Sequence, residues 1–290
     1  MRKFVCLVTF ILSIAGLVCA QKSDGDREMN QPVEPFKIIG NVYYVGASDV
    51  TSYLITTPNG HILIDGGFEE TVPQIKANVA KLGFKLEDIK ILLINHAHYD
   101  HCGGLAEIKK STNAKLYASP PDALVLEDGG MSDFRFGDDK AFSFAPVKVD
   151  EILKDGQKIR LGDTVLKTYF TFGHTKGATS WTTDVSENGK KYKVAFVSSV
   201  TTLDYSFVNN TKYPQIAEDF TKTFATLARI KADVLLSSHG GFFDLTEKSA
   251  KIRAGAARNP FIGAAEYKGF VKRMEKAFQD KLKAEKTGKK

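Results

Sequence analysis

Between Asn95 and His101 the chain runs His96-Ala97-His98-Tyr99-Asp100-His101, directly after the apolar stretch 89–94. Six histidines occur in the whole sequence, and three of them stand here beside a carboxylate. Imidazole with carboxylate is the donor set of zinc and similar transition metals. Residues two apart at a strand end point to the same side, so His96 and His98 address one point. Asp100 and His101 lie where Gly103-Gly104 lets the backbone turn tightly, and they address a second point close by. His174 (in Phe172-Gly173-His174-Thr175-Lys176-Gly177) and His239 (in Ser237-Ser238-His239-Gly240-Gly241) each follow another apolar stretch. His61 falls inside a strand and reads as an ordinary strand residue. Six candidate ligands divide into three plus three, and a zinc with three protein ligands keeps a position open for water, which marks a catalytic centre and not a structural one.

These residues need strands that end together. Residues 41–46, 52–57 and 61–65 read as strands, with a Pro58-Asn59-Gly60 turn between the second and third. Residues 71–82 have a helical period closed by Gly83, and 89–94 is a buried strand. A short helix over 105–111 and a strand over 114–118 follow. Residues 124–150 are rich in Gly, Asp and Phe and read as one long irregular loop of functional character. Strands are then expected at 158–161, 164–170, 181–185, 192–197 and 234–237, with helices at 220–230 and 264–285. The pattern predicts a layered α/β protein with sheets inside and helices outside, a single domain over 36–290 made of two similar halves.

The chain has 290 residues, 43% hydrophobic and 26% charged, an ordinary globular balance. Residues 1–20 have a basic start, an apolar run and a small-residue end, which is the layout of a secretory signal peptide cleaved near Ala20/Gln21. The run is too short for a comfortable membrane span, so no stable anchor is expected, and Val18 fits poorly with a lipid-modified Cys19. An exported protein, periplasmic or secreted, is implied, with residues 21–35 as a polar, structureless tether. Cys6 and Cys19 leave with the leader; Cys102 remains alone, so no internal disulfide forms. Arg2 and Lys3 leave too, and the formal charge of +6 becomes +4. That mild excess, much of it in the tail 281–290, does not point to nucleic acid. A monomer acting on a small molecule is expected.

With these motifs in place, the chain resembles the metallo-β-lactamase fold superfamily over residues 36–285. The resemblance rests on His96-x-His98-x-Asp100-His101, on Gly173-His174-Thr175-x-Gly177 and on His239. It implies a four-layer αβ/βα sandwich with two β-sheets inside and helices outside. Asp65, at the end of Ile62-Leu63-Ile64-Asp65, resembles an aspartate that supports the metal ligands. Hydrolases of this fold such as glyoxalase II and lactonases carry an aspartate bridging both metals, where this chain has Ser198-Ser199; Asp204 lies too far along to replace it. Ser199, with Gly129-Gly130-x-Ser132-Asp133-Phe134 and Asp150-x-x-Leu153-x-Asp155-Gly156, is similar to the third subclass of class B β-lactamases, B3. Lys176 stands where proline is common.

The resemblance implies two Zn2+ per chain, one on His96, His98 and His174, the other on Asp100, His101 and His239. It places Ser199 near the second zinc, Thr201 on the substrate carboxylate, and Tyr205 on the developing oxyanion. Asp100 both binds metal and orients the nucleophile. The implied activity is hydrolysis of the β-lactam ring of penicillins, cephalosporins and carbapenems by zinc-activated water. No Ser-x-x-Lys or Gly-x-Ser-x-Gly occurs to suggest a serine nucleophile. The alternatives are a lactonase or thioesterase of the same fold, or an exported zinc-binding protein without turnover.

Overall fold

A computed structural model describes residues 23–288. The expected leader, residues 1–20, lies outside the described residues. Two sheets form the frame. The first runs in strict chain order through β1 (Phe36–Ile39), β2 (Val42–Tyr44), β3 (Tyr53–Thr57), β4 (Gly60–Ile64), β5 (Ile89–Leu93), β6 (Lys115–Ala118) and β7 (Glu151–Ile152). Its first pairings are antiparallel hairpins; from β4 onward they are parallel, joined through helices. The second sheet has the order β12-β11-β10-β9-β8, from β8 (Lys158–Leu161), β9 (Thr164–Phe170), β10 (Thr179–Glu187), β11 (Lys190–Val197) and β12 (Val234–Ser237). Only β11 and β12 pair in parallel there. The expected halves are thus unequal, seven strands against five.

Alternation along the strands fixes the layers. Ile62 and Ile64 of β4 face inward and share one core with Leu166, Trp181 and Phe196 of the other sheet. Leu63, between them, faces outward and packs with Val72, Ile75 and Val79 of α2 (Val72–Lys81) and Leu105 and Ile108 of α4 (Leu105–Thr112). On the far side, Phe220 and Phe224 of α6 (Ile216–Arg229) stack with Phe278 of α8 (Ala264–Lys286). The result is the expected helix–sheet–sheet–helix sandwich. Among the described residues no helix is long and apolar enough to cross a membrane.

Two expectations need correction, and one helix was not anticipated. Residues 21–35 are not structureless: α1 (Asp24–Met29) begins in a reciprocal capping box between Ser23 and Asp26. Met29 O then accepts from the N–H groups of Asp49 and Val50, and Tyr99 donates to Asp26 at 2.6 Å, which ties this arm down. Residues 124–150 are not one loop from their start, because α5 (Pro120–Glu127), capped by Ser119 with prolines in its first turn, continues through Glu127. A helix unmarked in the sequence pattern, α7 (Leu245–Arg253), follows the His239 segment.

Candidate metal centre

β5 ends at Leu93, and the chain enters the centre through Asn95. Asp65, just past β4, accepts from Asn95 N at 2.7 Å and from Asn95 Nδ2 at 2.8 Å. Asp65 itself sits at φ 63°, a left-handed conformation in which short polar side chains are the favoured non-glycine residues. Asn95 O accepts in turn from Thr179 N and Ser198 Oγ, so both sheets grip this residue. His98 then caps α3 (Tyr99–Cys102), whose single turn aims Asp100 and His101 back at the strand ends. His174 is held from behind by α6: Thr223 Oγ1 donates to Phe172 O at 2.7 Å, and Gly173 (φ 139°) lies against the Phe220 ring.

Two clusters result. The rings of His96, His98 and His174 meet pairwise with centroids 4.7 to 4.8 Å apart. Their ligand atoms lie within 4.8 Å of one another. In the second cluster, His101 Nε2 is 3.2 Å from His239 Nε2 and 3.2 Å from Asp100 Oδ2, and His239 Nε2 is 3.6 Å from that same oxygen. Donors about 2.0–2.1 Å from a tetrahedral zinc stand about 3.3 Å from one another, so this spacing fits the ion. The clusters adjoin, with His96 and His101 centroids 4.2 Å apart. His96 Nε2 is buried with no protein partner, as a lone pair reserved for a cation requires.

The outward nitrogens of His239 and His174 are hydrogen-bonded, which fixes tautomer and ring, and those of His101, His96 and His98 face an oxygen at 3.3 to 3.7 Å. His239 Nδ1 is 2.8 Å from Asp49 Oδ2, whose other oxygen accepts from Gly241 N. His174 Nδ1 donates to Thr201 O at 3.0 Å. His101 Nδ1 is 3.3 Å from Asp65 Oδ2, within ion-pair reach but not aligned as a full hydrogen bond. Ser198 Oγ lies 3.4 Å from His96 Nδ1, and Asp133 Oδ2 lies 3.7 Å from His98 Nε2, which leaves His98 Nδ1 for the cluster. Asp65 was legible as such a support in the sequence. Asp49, Ser198 and Asp133 were not assigned supporting roles, because nothing local marks them.

Burial, reinforced by the neighbouring imidazoles, pushes His96 and His174 well below the ordinary histidine range, and burial holds His98 down to about 4. The second cluster behaves oppositely. Burial alone would lower His101, but the Asp100 carboxylate and its hydrogen bond, with Asp65 behind, raise it to about 10. Burial alone would raise Asp100, but the attraction of His101 overrides it and holds the carboxyl far below the usual range. A cation entering this cluster must displace the proton of His101. At pH 7, below that raised value, metal uptake is therefore expected to release about one proton, and the apparent affinity to fall as pH falls. Calorimetric titration in buffers of different ionisation enthalpy measures this; a heat independent of the buffer would contradict it.

Both clusters open on a cavity of about 570 Å³. Ser199 and Thr201 line it, their hydroxyls 3.0 Å apart. His174 Nδ1 carries the proton that Thr201 O accepts, so the Thr201 hydroxyl, 3.1 Å from that nitrogen, does not donate to it and shares one hydrogen bond with Ser199. Much of the remaining lining is apolar, with Met29 from the arm, Phe136 and Phe142 from the loop after α5, and Leu203 and Phe242. Tyr205 is placed differently from its expected role. Its buried hydroxyl donates to His174 O at 2.8 Å, and it is not among the residues lining the cavity. There it braces the His174 loop. Asp204 is exposed and forms a bidentate pair with Arg135, away from both clusters. His61 sits in β4 against Phe84, an ordinary strand residue.

The family model of the metallo-beta-lactamase superfamily matches residues 45–239, a span that carries all six candidate ligands. The chain belongs to the metallo-β-lactamase superfamily. Among solved metallo-β-lactamases it is similar to FEZ-1 from Legionella gormanii, with 42% identity, a TM-score of 0.87, and coverage of 89% of this chain and 99% of that one. BJP-1, a subclass B3 metallo-β-lactamase of Bradyrhizobium japonicum, is 37% identical, with a TM-score of 0.84 and coverage of 91% and 99%. LRA-12, a class B3 di-zinc metallo-β-lactamase from an Alaskan soil metagenome, is 38% identical over 90% and 98%, with a TM-score of 0.83.

Proposed function

We propose that this protein is a zinc-dependent β-lactamase of subclass B3, which opens the β-lactam ring of penicillins, cephalosporins and carbapenems and thereby confers antibiotic resistance. The observation that carries the reading is the pair of adjacent three-donor clusters at the floor of one cavity, with Ser198 and Ser199 following β11 and, among the described residues, no second carboxylate between the clusters. The likeness to B3 enzymes over nearly the whole chain supports it. Export with cleavage near Ala20 belongs to the same reading, since the target of such antibiotics lies outside the cytoplasm.

His96, His98 and His174 would hold one zinc, and Asp100, His101 and His239 the other. The ions, when bound, supply polarisation of a carbonyl oxygen and a water acidified to about neutral pKa. The chain does the rest. Asp100, ionised at every working pH, holds the attacking water through its carboxylate and receives none of the substrate covalently. The Thr201–Ser199 hydroxyl pair donates to the substrate carboxylate at the cavity edge. The apolar wall of Phe136, Phe142 and Phe242 seats the rest of the substrate and thins the water around the scissile amide. Water adds to the carbonyl carbon, the C–N bond breaks, and the nitrogen takes up a proton.

Parallel assays of a penicillin, a cephalosporin, a carbapenem, an acylhomoserine lactone and a glutathione thioester, with metal counted per chain, test this. The lactams should be turned over and the other two left essentially untouched. Faster turnover of the lactone or the thioester would replace the reading with that hydrolase class. Two metals per chain with no hydrolysis of any of the five would indicate a zinc-binding protein.

A further inference from the structure

The three-histidine cluster is assembled from two loops on different sheets. His96 and His98 follow β5 of the first, and His174 follows β9 of the second. Thr179 N donates to Asn95 O at 2.7 Å at one edge of the two loops, and a single side chain joins them at the ligands themselves. Asp122, on the first turn of α5, is fully buried and lies between them. Its Oδ2 accepts from Ala97 N at 3.0 Å, the peptide between His96 and His98. Its Oδ1 accepts from Thr175 Oγ1 at 3.1 Å, the residue after His174. Ser119, which caps the same helix, donates to Gly177 O at 2.6 Å and so holds the far end of the His174 loop. A Cβ at Gly177 would overlap both Asp122 and Ser119, so the loop is pressed onto them as closely as backbone allows.

A buried carboxylate with no basic side chain bonded to it is costly. A helix start facing two ligand loops would be satisfied as well by a serine or a threonine if it served only the fold. Asp122 instead spends its two oxygens on two different loops, one on each side of the same cluster. We infer that Asp122 is a positioning residue that sets the distance between the His96–His98 loop and the His174 loop, and through it the affinity and symmetry of the three-histidine metal site. This rests on the reading of that cluster as a zinc site. The second cluster, whose residues Asp122 does not touch, is supported by Asp49 and Asp65.

The experiment is a cobalt titration of the full-length mature protein, read by the visible absorption of the bound ion, with no lactam present. Asp122→Asn keeps the volume and one acceptor but cannot satisfy both donors. It is expected to weaken the three-histidine site about ten- to a hundredfold and to alter its absorption band, while the Asp100–His101–His239 site keeps its affinity. Thr175→Val removes one bond only and should act in the same direction more weakly; Thr175→Ser should restore both the band and the affinity. If Asp122→Asn does not fold, the threonine pair decides. Unchanged cobalt spectra and affinities in Asp122→Asn and Thr175→Val would overturn the inference, as would equal weakening of both sites, the mark of a merely structural residue. A chain that binds cobalt as described but hydrolyses no lactam would sink the proposed activity and leave this inference standing.

Discussion

Dialysis against a strong chelator should abolish hydrolysis of a chromogenic cephalosporin, and added zinc should restore it. Among the described residues that line the cavity, no side chain is set up as a nucleophile. Ser199 has only Thr201 as its hydroxyl partner, and no general base stands beside it. The imidazoles of His96, His98 and His174 are held largely neutral by burial, so without cations the cavity floor presents lone pairs and cannot draw electron density from a carbonyl. Stability should fall as well, because those lone pairs would be left buried without a partner. An ion at a hundred times its dissociation constant stabilises by about 2.7 kcal/mol, so Tm should drop by roughly 5–10 °C on chelation. Spectrophotometric rates and a thermal melt, each with and without chelator, measure both effects. Activity that survives complete metal removal would refute the mechanism.

Asp100→Ala should cost on the order of a thousandfold in kcat/KM, about 4 kcal/mol of transition-state stabilisation. Its carboxylate sits 3.2 Å from His101 and 3.6 Å from His239, so its removal leaves two imidazoles with nothing anionic between them. The same side chain is the one positioned to orient water over the floor of the cavity. One substitution therefore takes away a ligand and a catalytic group together. The second cluster should lose its ion while the three-histidine cluster keeps its own, which metal analysis reads directly. Retention of two metals per chain with near-normal kcat would contradict both roles. Because the carboxylate also sets the charge of His101, the buffer-dependent proton release on metal uptake should vanish in the same variant.

Much of this was legible before any fold was known, and particular residues show why. His96, His98, Asp100 and His101 are close in sequence, so strand geometry alone assigns them to two adjoining points. His174 and His239 announce themselves by following apolar stretches that end in glycine-flanked loops. Asp49 carries no such mark. It meets His239 across 190 positions, and the bond exists only because the arm from α1 and the loop after β2 are folded over the β12 end. Asp122 is hidden in the same way, since a capped helix beginning Ser-Pro-Pro-Asp gives no sign that its carboxylate will join two loops. Tyr205 shows the converse. A tyrosine at a suggestive spacing was turned by packing, with its hydroxyl spent on His174 O and its ring against Phe134.

The identity of the metal donors, the pairing of His96 with His98 and of Asp100 with His101, the layered strand–helix order and the class of chemistry were legible along the chain. Local backbone geometry is enough to aim such side chains. The meeting of His174 and His239 with those pairs was decided by the tertiary structure. The supports behind each imidazole, the apolar wall supplied in part by Met29 of an arm that looks featureless, and the joining of the two ligand loops at Asp122 were decided only by the tertiary structure. Those contacts bring together residues separated by tens to hundreds of positions, and their orientation depends on which face of each element is buried.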